Sequence, residues 1–252
     1  MKFILFIMLY INITFANDTK IYFYSTDINI NNFKSLKISF DRYIQDYGKY
    51  QFQPFSNKNT FEEQLKYDDS VFILSSWHYK KISKKYNLEA LLVAQKKGTI
   101  TDTKILVGKK KSSVKGLVTS AYDISYTKEL LSKLTKNKID NLPILIVPKE
   151  IDALMSVSFG MSDFALVSKD SLSFLQSVNP SLTKDFQIFS ESEPKFRMVL
   201  ANNKIKKNKQ EIVTMFNDMS KKPKGQNILE MMGIQKLVIL SKEDQLNLGG
   251  IK

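Results

Sequence analysis

The chain has 252 residues, 43% of them hydrophobic, which is enough for one large domain or two lobes with separate cores. It has no cysteine and a single histidine, so disulfide bonds, Cys/His zinc clusters and cysteine nucleophiles are excluded. Its formal net charge of +13 is carried mainly by lysine, with arginine only at positions 42 and 197, so we expect a solvated lysine-rich surface and no nucleic-acid partner.

The first segment in chain order is an apolar run from Phe3 to Ile11, which follows Lys2. Small residues at Thr14 and Ala16 fit a cleavage site, so Met1 to Ala16 is predicted to be a secretory signal peptide. A membrane anchor is the alternative, but the run is about half of the roughly 20 apolar residues that a spanning helix needs. Because no cysteine is present to carry a lipid, we expect a soluble periplasmic protein.

Strand-like and helix-like segments alternate after the signal peptide, which predicts an α/β fold with mainly parallel sheets. Strands are predicted at Lys20 to Tyr24, Tyr50 to Phe55, Val71 to Leu74, Leu88 to Ala94, Lys104 to Gly108, Gly116 to Thr119, Leu142 to Val147, Phe164 to Val167, Phe186 to Phe189 and Met198 to Ala201. Helices are predicted over 33–47, 125–134, 150–159, 169–178, 212–219 and 223–232. A further helix is predicted to start at the capping box of Thr60 and Glu63, and a separate lysine-rich helix is predicted to end at about Tyr86.

The order of these segments favours two lobes. Two strands follow one another at Leu88 to Ala94 and Lys104 to Gly108, and no long linker interrupts the chain. We therefore predict that the strands near Lys104 to Gly108 and Met198 to Ala201 connect the lobes, so that the chain crosses twice. Residues 17–106 and 201–252 are assigned to lobe 1, and residues 107–200 to lobe 2.

Three segments resemble a known family. They are the strand-to-loop segment from Phe72 to Tyr79, the Ser/Thr-rich loop that opens a helix near Ser125, and the segment from Gly160 to Val167, which is similar to a Gly-x-x-Asp-Ala motif. The sequence resembles the type 2 periplasmic binding fold, and within it the phosphate, phosphite and phosphonate binding proteins of ABC transporters. The resemblance implies a two-lobe α/β fold with two hinge crossovers, a small anionic ligand, an ABC permease as partner, no cofactor and a monomeric state.

Helix starts at strand ends are the candidate binding site, because helix N-termini attract anions and ligands of open α/β sheets bind beyond the strand ends. Ser75, Ser76 and Tyr79 are expected at the mouth of lobe 1. The helix start near Ser125 is expected to face them from lobe 2. The complete set of candidate ligand-binding residues is Tyr24, Ser25, Ser75, Ser76, Trp77, His78, Tyr79, Ser120, Tyr122, Ser125, Tyr126, Thr127 and Asp163.

Other interpretations of these residues remain open. Each hydroxyl could be a plain N-cap, and Trp77 could be a packing anchor. Asp123 adds a negative charge to the second loop that would repel a phosphoryl group, so binding there is undecided. A sensor subunit that docks on a membrane receptor is the main alternative function. A hydrolase using His78, or a surface protein with a vestigial cleft, is a further alternative from another class.

Overall fold

The computed structural model describes residues 18–26, 32–110, 116–136, 142–203 and 209–248. The predicted signal peptide, Met1 to Ala16, lies outside the described residues. Within those five ranges, no helix combines the length and the apolar composition that crossing a membrane requires.

The strands in chain order are β1 (Thr19–Tyr24), β2 (Tyr50–Pro54), β3 (Ser70–Leu74), β4 (Leu88–Gln95), β5 (Thr101–Asp102), β6 (Lys104–Lys109), β7 (Val118–Ser120), β8 (Ile144–Ile146), β9 (Phe164–Ser168), β10 (Phe186–Glu191), β11 (Lys195–Phe196), β12 (Val199–Asn203) and β13 (Lys236–Ile239). The α-helices are α1 (Phe33–Ile44), α2 (Lys58–Glu62), α3 (Ser76–Tyr86), α4 (Ile124–Thr135), α5 (Glu150–Ser158), α6 (Lys169–Val178), α7 (Lys209–Asp218), α8 (Pro223–Met231) and α9 (Lys242–Asn247). Each strand and helix predicted from the sequence is present, with its ends shifted by a few residues. Four further elements, β5, β11, β13 and α9, were not predicted because they are too short for a clear hydrophobic period.

The start of α2 differs from the prediction. The expected capping box of Thr60 and Glu63 is wrong, because α2 begins at Lys58 and Asn57 is its N-cap. The Asn57 side chain accepts hydrogen bonds from the backbone N–H groups of Asn59 and Thr60, at 2.8 and 3.2 Å. Asparagine is among the strongest N-cap residues, so it starts the helix before Thr60 is reached.

The described strands form two large sheets. The first has the strand order β13-β4-β12-β3-β1-β2, and the second has the order β10-β6-β9-β7-β8. The expectation of mainly parallel sheets is wrong: four of their nine strand pairings are parallel and five are antiparallel. Four of the five antiparallel pairings involve β6 or β12, the strands with which the chain enters a large sheet after changing sheets, and the fifth joins β13 to β4.

A short antiparallel ribbon of β5 and β11 lies in the two crossovers between the sheets. Thr101 pairs with Phe196, and Asp102 pairs with Lys195. The chain therefore crosses twice, along adjacent strands, as a hinge requires. The boundaries predicted at 106/107 and 200/201 divide β6 and β12, whereas each of these strands belongs to one sheet. We accordingly place the change of lobe at the ribbon.

Each sheet is covered by apolar side chains on both faces. Along β1, Ile21 and Phe23 pack in one cluster while Tyr22 and Tyr24 pack in the other, as the alternation of a strand dictates. The second sheet is covered in the same way by two further clusters. One of these includes Trp77, although Trp77 belongs to α3, which follows a strand of the first sheet. The lobes therefore meet at this side chain.

Candidate functional site

The carboxyl ends of parallel strands in both sheets face the space between the lobes. β1 and β3 are parallel neighbours that end side by side, and the serines that follow them, Ser25 and Ser75, have their Oγ atoms 3.1 Å apart. Ser75 precedes α3 but its side chain does not cap the helix. Ser75 is nevertheless only 1% exposed and lies beneath the cleft surface, whereas Ser25 is partly exposed.

The hydroxyl groups of the second lobe mostly bond to one another. The Oγ of Ser120 accepts hydrogen bonds from the N–H of Tyr122 at 3.1 Å and from the Oγ1 of Thr127 at 3.0 Å. Ser120 and Thr127 are fully buried. Ser125 is exposed and donates its hydroxyl to Asp123 at 2.8 Å. Of these hydroxyls, Ser125 is therefore the one placed to meet a ligand.

Trp77 extends from α3 into the second lobe. It is 5% exposed and packs in the cluster that contains Val118 and Leu130. Its indole stacks on the ring of Tyr126, with centroids 5.5 Å apart and planes at 14°, and it meets the ring of Tyr122 edge-on at 5.8 Å. The buried Nε1 of Trp77 has no hydrogen-bond partner among the described residues. The centre of the cleft is thus filled by side chains of the protein itself.

An ion pair crosses the cleft beside this stack. Lys81 of α3 bonds to the carboxylate of Asp123, which also caps α4 by accepting from the N–H of Tyr126 at 2.9 Å. Burial alone would raise the pKa of Asp123, but Lys81, Tyr126 and Ser125 outweigh it and lower the pKa to about 2. The negative charge noted in the sequence analysis is therefore matched by a lysine of the other lobe.

A buried carboxylate that was not among the predicted site residues lies at the start of α5: Glu150, which is 1% exposed. It accepts hydrogen bonds from the N–H of Ser168 at 2.9 Å and from the hydroxyls of Ser168, Ser171 and Tyr122. The buried Nζ of Lys104 lies 3.4 Å away. Burial opposes ionisation, but Lys104 and these hydroxyls hold the pKa of Glu150 below its usual value. The carboxylate of Glu150 thus lies at the N-terminus of α6, where it accepts hydrogen bonds from Ser168 and Ser171.

Glu150 also contacts the other lobe, because its backbone N–H donates a hydrogen bond to the carbonyl of Thr26 at 3.3 Å. Glu150 could have been found by the rule that selected the other site residues. It begins the helix that follows β8, and helix starts after strand ends face the cleft. The sequence around Lys104 has no comparable pattern that predicts a site residue, since the burial of Lys104 depends on β9 and α5, which pack around it.

Three of the expected ligand-binding residues lie away from the cleft. His78 is fully buried and bonds to Glu62 at 2.8 Å, and the hydroxyl of Tyr79 donates to the carbonyl of Leu88 at 3.1 Å. Both side chains pack in the first lobe because each helical residue turns about 100° from the one before it. Asp163 lies at the opposite end of β9, where it accepts from the N–H of Leu117 at 3.0 Å.

Two cavities border the aromatic side chains that fill the centre of the cleft, and Trp77 lines both of them. The mouth cavity, of about 630 Å³, is lined by Tyr24, Asn57, Trp77, Tyr122, Ser125 and Ile146, among others. The lysine groove, of about 590 Å³, lies between α3 and α4 beside the hinge ribbon and is bordered by Lys80, Lys81, Lys133 and Lys195. Its lining also includes four of the expected site residues, Ser76, Trp77, Ser125 and Tyr126.

A smaller cavity of about 160 Å³ lies behind the hinge ribbon. Two basic side chains of its lining share one carboxylate: Arg197 bonds to Asp170 at 2.5 Å, and Lys96 lies 3.3 Å from the same group. Over the described ranges, no group of three or more histidine or acidic side chains is placed to hold a metal ion.

Comparison with known proteins agrees with this architecture. Residues 48–245 match the family model described as "ABC transporter, phosphonate, periplasmic substrate-binding protein". That range is most of the chain, and it includes both helix starts on which the resemblance rests. The family consists of transport proteins and not of enzymes. Among curated proteins, no sequence matches the chain.

Solved structures share the two-lobe fold at low sequence identity. PhnD1 from Prochlorococcus marinus in complex with methylphosphonate has a TM-score of 0.71 and 10% identity, covering 92% of this chain and 95% of that one. A binding protein component of an ABC phosphonate transporter from Pseudomonas aeruginosa has a TM-score of 0.71 and 13% identity, covering 92% and 85%. XAC2383 from Xanthomonas citri, bound to ATP, has a TM-score of 0.69 and 12% identity, covering 92% and 94%. The expected fold is confirmed.

Proposed function

The chain belongs to the family of periplasmic substrate-binding proteins of phosphonate ABC transporters, and we propose that it captures a phosphorus oxyanion between its lobes. The ligand is a phosphonate, phosphite or phosphate group, which the protein delivers to the permease. Closure about the β5–β11 ribbon would hold the ligand, and opening would release it.

The positive charge around the lysine groove is the main support for this proposal. Four lysines border the lysine groove, against one carboxylate, Glu129. Lys133 bonds to Glu129 at 2.6 Å and is the main cause of its lowered pKa, to which Lys80 and Lys195 also contribute. The groove therefore retains an excess of positive charge, which attracts anions.

The ion pair of Lys81 and Asp123 supports the same ligand class. An isolated Asp123 would repel a phosphoryl group, but its ion pair with Lys81 compensates the charge. The exposed hydroxyl of Ser125 lines both the mouth cavity and the lysine groove, so it is the candidate of the second lobe for a hydrogen bond to the ligand, which would replace its bond to Asp123.

The partner and cellular setting complete the proposal. The protein is exported by its signal peptide and acts as a periplasmic monomer that docks on an ABC permease. A sensor subunit on a membrane receptor would use the same cleft. The two differ in a strain that lacks the protein: transport predicts loss of growth on the phosphonate as the phosphorus source, whereas sensing predicts normal growth and a lost transcriptional response.

Calorimetric titration of the purified protein with methylphosphonate, phosphite, inorganic phosphate and sulfate tests the ligand class. We expect at least one phosphorus oxyanion to bind more tightly than sulfate. Ser125→Ala should weaken it by up to about tenfold through loss of one hydrogen bond, while Ser177→Ala, at an exposed serine of α6, should not. Binding by none of the phosphorus oxyanions would refute the proposal.

A further inference from the structure

The available space in the cleft lies beside aromatic rings as well as beside lysines. The central positions are occupied by Trp77, Tyr122 and the carboxylate of Glu150, all of them buried. The lysine groove has a volume of about 590 Å³, within the range of about 300–1,000 Å³ that is typical for drug-sized ligands. A methylphosphonate ion alone would leave most of this volume unfilled.

Two rings in the groove retain accessible surface. Tyr126 and Phe196 line it and are each half-buried, so part of each ring is open to a ligand. Tyr126 is held in place because the indole of Trp77 stacks on it. Flat groups bind well to such rings through stacking and through removal of apolar surface from water.

The positive charges lie next to these rings. Among the described residues, Lys80 and Lys195 form no ion pair, and both act on Glu129 at the same groove. A lysine ammonium binds phosphate oxygens as a point charge without a fixed geometry, so these two groups can hold a phosphoryl group in several orientations. Trp77 also lines the groove, and its buried Nε1, which has no hydrogen-bond partner among the described residues, would gain an acceptor from any ligand oxygen that reached it.

We infer that the lysine groove binds an organic phosphate or phosphonate that carries a planar ring. The ring packs against Tyr126 and Phe196, and the phosphoryl oxygens bind Lys80 and Lys195. This inference rests on the proposed function and narrows its ligand from small oxyanions to their aryl esters or aryl derivatives.

Titration with four probes tests the inference: phenyl phosphate, inorganic phosphate, methylphosphonate and phenol. Phenyl phosphate should bind about tenfold more tightly than phosphate or methylphosphonate, because only it has both ring and charge. Phenol, which lacks the charge, should bind far more weakly. Fluorescence of Trp77, the single tryptophan, should change on binding because Tyr126 lies against it.

Variants locate the site. Lys80→Gln and Lys195→Gln should each weaken phenyl phosphate by about tenfold, whereas Lys128→Gln, at an exposed lysine of α4 outside the groove lining, should leave it unchanged. If phenyl phosphate binds no more tightly than phosphate, or if the groove variants bind it as the wild type does, the inference is overturned and the proposed function stands. If no phosphorus compound binds, both the inference and the proposed function are refuted.

Discussion

The indole of Trp77 in α3 lies against the ring of Tyr126 in α4, with centroids 5.5 Å apart and an interplanar angle of 14°. The two helices follow strands of different sheets, so this stack is a direct contact between the lobes. Since the chain has one tryptophan, its fluorescence reports this contact without interference.

Trp77 should be protected from solvent before any ligand is added, because it is 5% exposed. We expect blue-shifted emission and weak quenching by acrylamide. Tyr126→Ala should shift the emission to the red and increase quenching, while Tyr67→Ala, at a tyrosine that is 52% exposed in the first lobe, should change neither. Red-shifted, freely quenched emission from the wild type would show that the lobes are apart in solution.

The ion pair of Lys81 and Asp123 has a measurable pH signature. The pKa of Asp123 in the folded protein is about 2, against an ordinary value of 3.8. A carboxyl group with a lowered pKa stabilises the fold above its unfolded value and loses that contribution as pH falls through the folded value. The stability difference between wild type and Asp123→Asn should therefore be constant above about pH 5 and shrink towards pH 2.

Asparagine is the informative replacement because it keeps the N-cap acceptor and removes only the charge. Urea unfolding at a series of pH values gives the difference. Asp123→Ala loses the cap as well and should cost roughly 1 kcal/mol more. Equal costs for the two variants would mean that the cap contributes nothing.

The fold was largely predictable because strand ends and helix faces are local features. Ser25 and Ser75 were both assigned to the candidate ligand site, and their hydroxyls lie 3.1 Å apart because the parallel neighbours β1 and β3 end at the same edge. The direction of each side chain along α3 was not predictable from the serine and aromatic pattern alone. Trp77 faces the second lobe, whereas His78 and Tyr79, one and two residues further along the helix, face the core of the first.

The pairing of Lys104 with Glu150 was also beyond sequence reasoning, since the residues are 46 positions apart and each is a surface type by composition. Only the packing of β6, β9 and α5 buries both of them. Asp163 was misplaced for a related reason: its motif fixes the position along the chain, but the direction of β9 decides which end of the sheet it occupies.

His78 predicts a second pH effect. Burial lowers its pKa below the ordinary 6.5, and the hydrogen bond with Glu62 opposes this only in part. A lowered folded pKa means that the neutral ring is preferred in the native state, so stability is complete above about pH 6.5 and falls as acid protonates the unfolded chain.

Replacing the ring with an apolar one isolates this contribution. His78 packs among Tyr24, Phe61 and Trp77, so His78→Phe keeps an aromatic group there. The variant should show a flatter stability profile between about pH 7.5 and 5 in urea unfolding. An unchanged slope would assign the acid sensitivity to other groups.

The buried pair of Glu150 and Lys104 predicts the largest loss of stability. Glu150→Ala leaves the ammonium of Lys104, which is 5% exposed, without its carboxylate, and removal of one partner of such a pair typically costs about 3–5 kcal/mol. Glu150→Gln keeps the shape and part of the hydrogen bonding to Ser168 and Tyr122, so it should cost less.

The double variant Glu150→Ala with Lys104→Met separates the charge effect from the loss of packing. Methionine fills much of the space of lysine but needs no counter-charge, so the double variant should be more stable than Glu150→Ala alone. Urea unfolding of the wild type, Glu150→Ala, Lys104→Met and the double variant gives the coupling energy between the two side chains. Additive costs would mean that the two groups act independently, and that the hydroxyls of Ser168, Ser171 and Tyr122 alone stabilise the carboxylate at the start of α5.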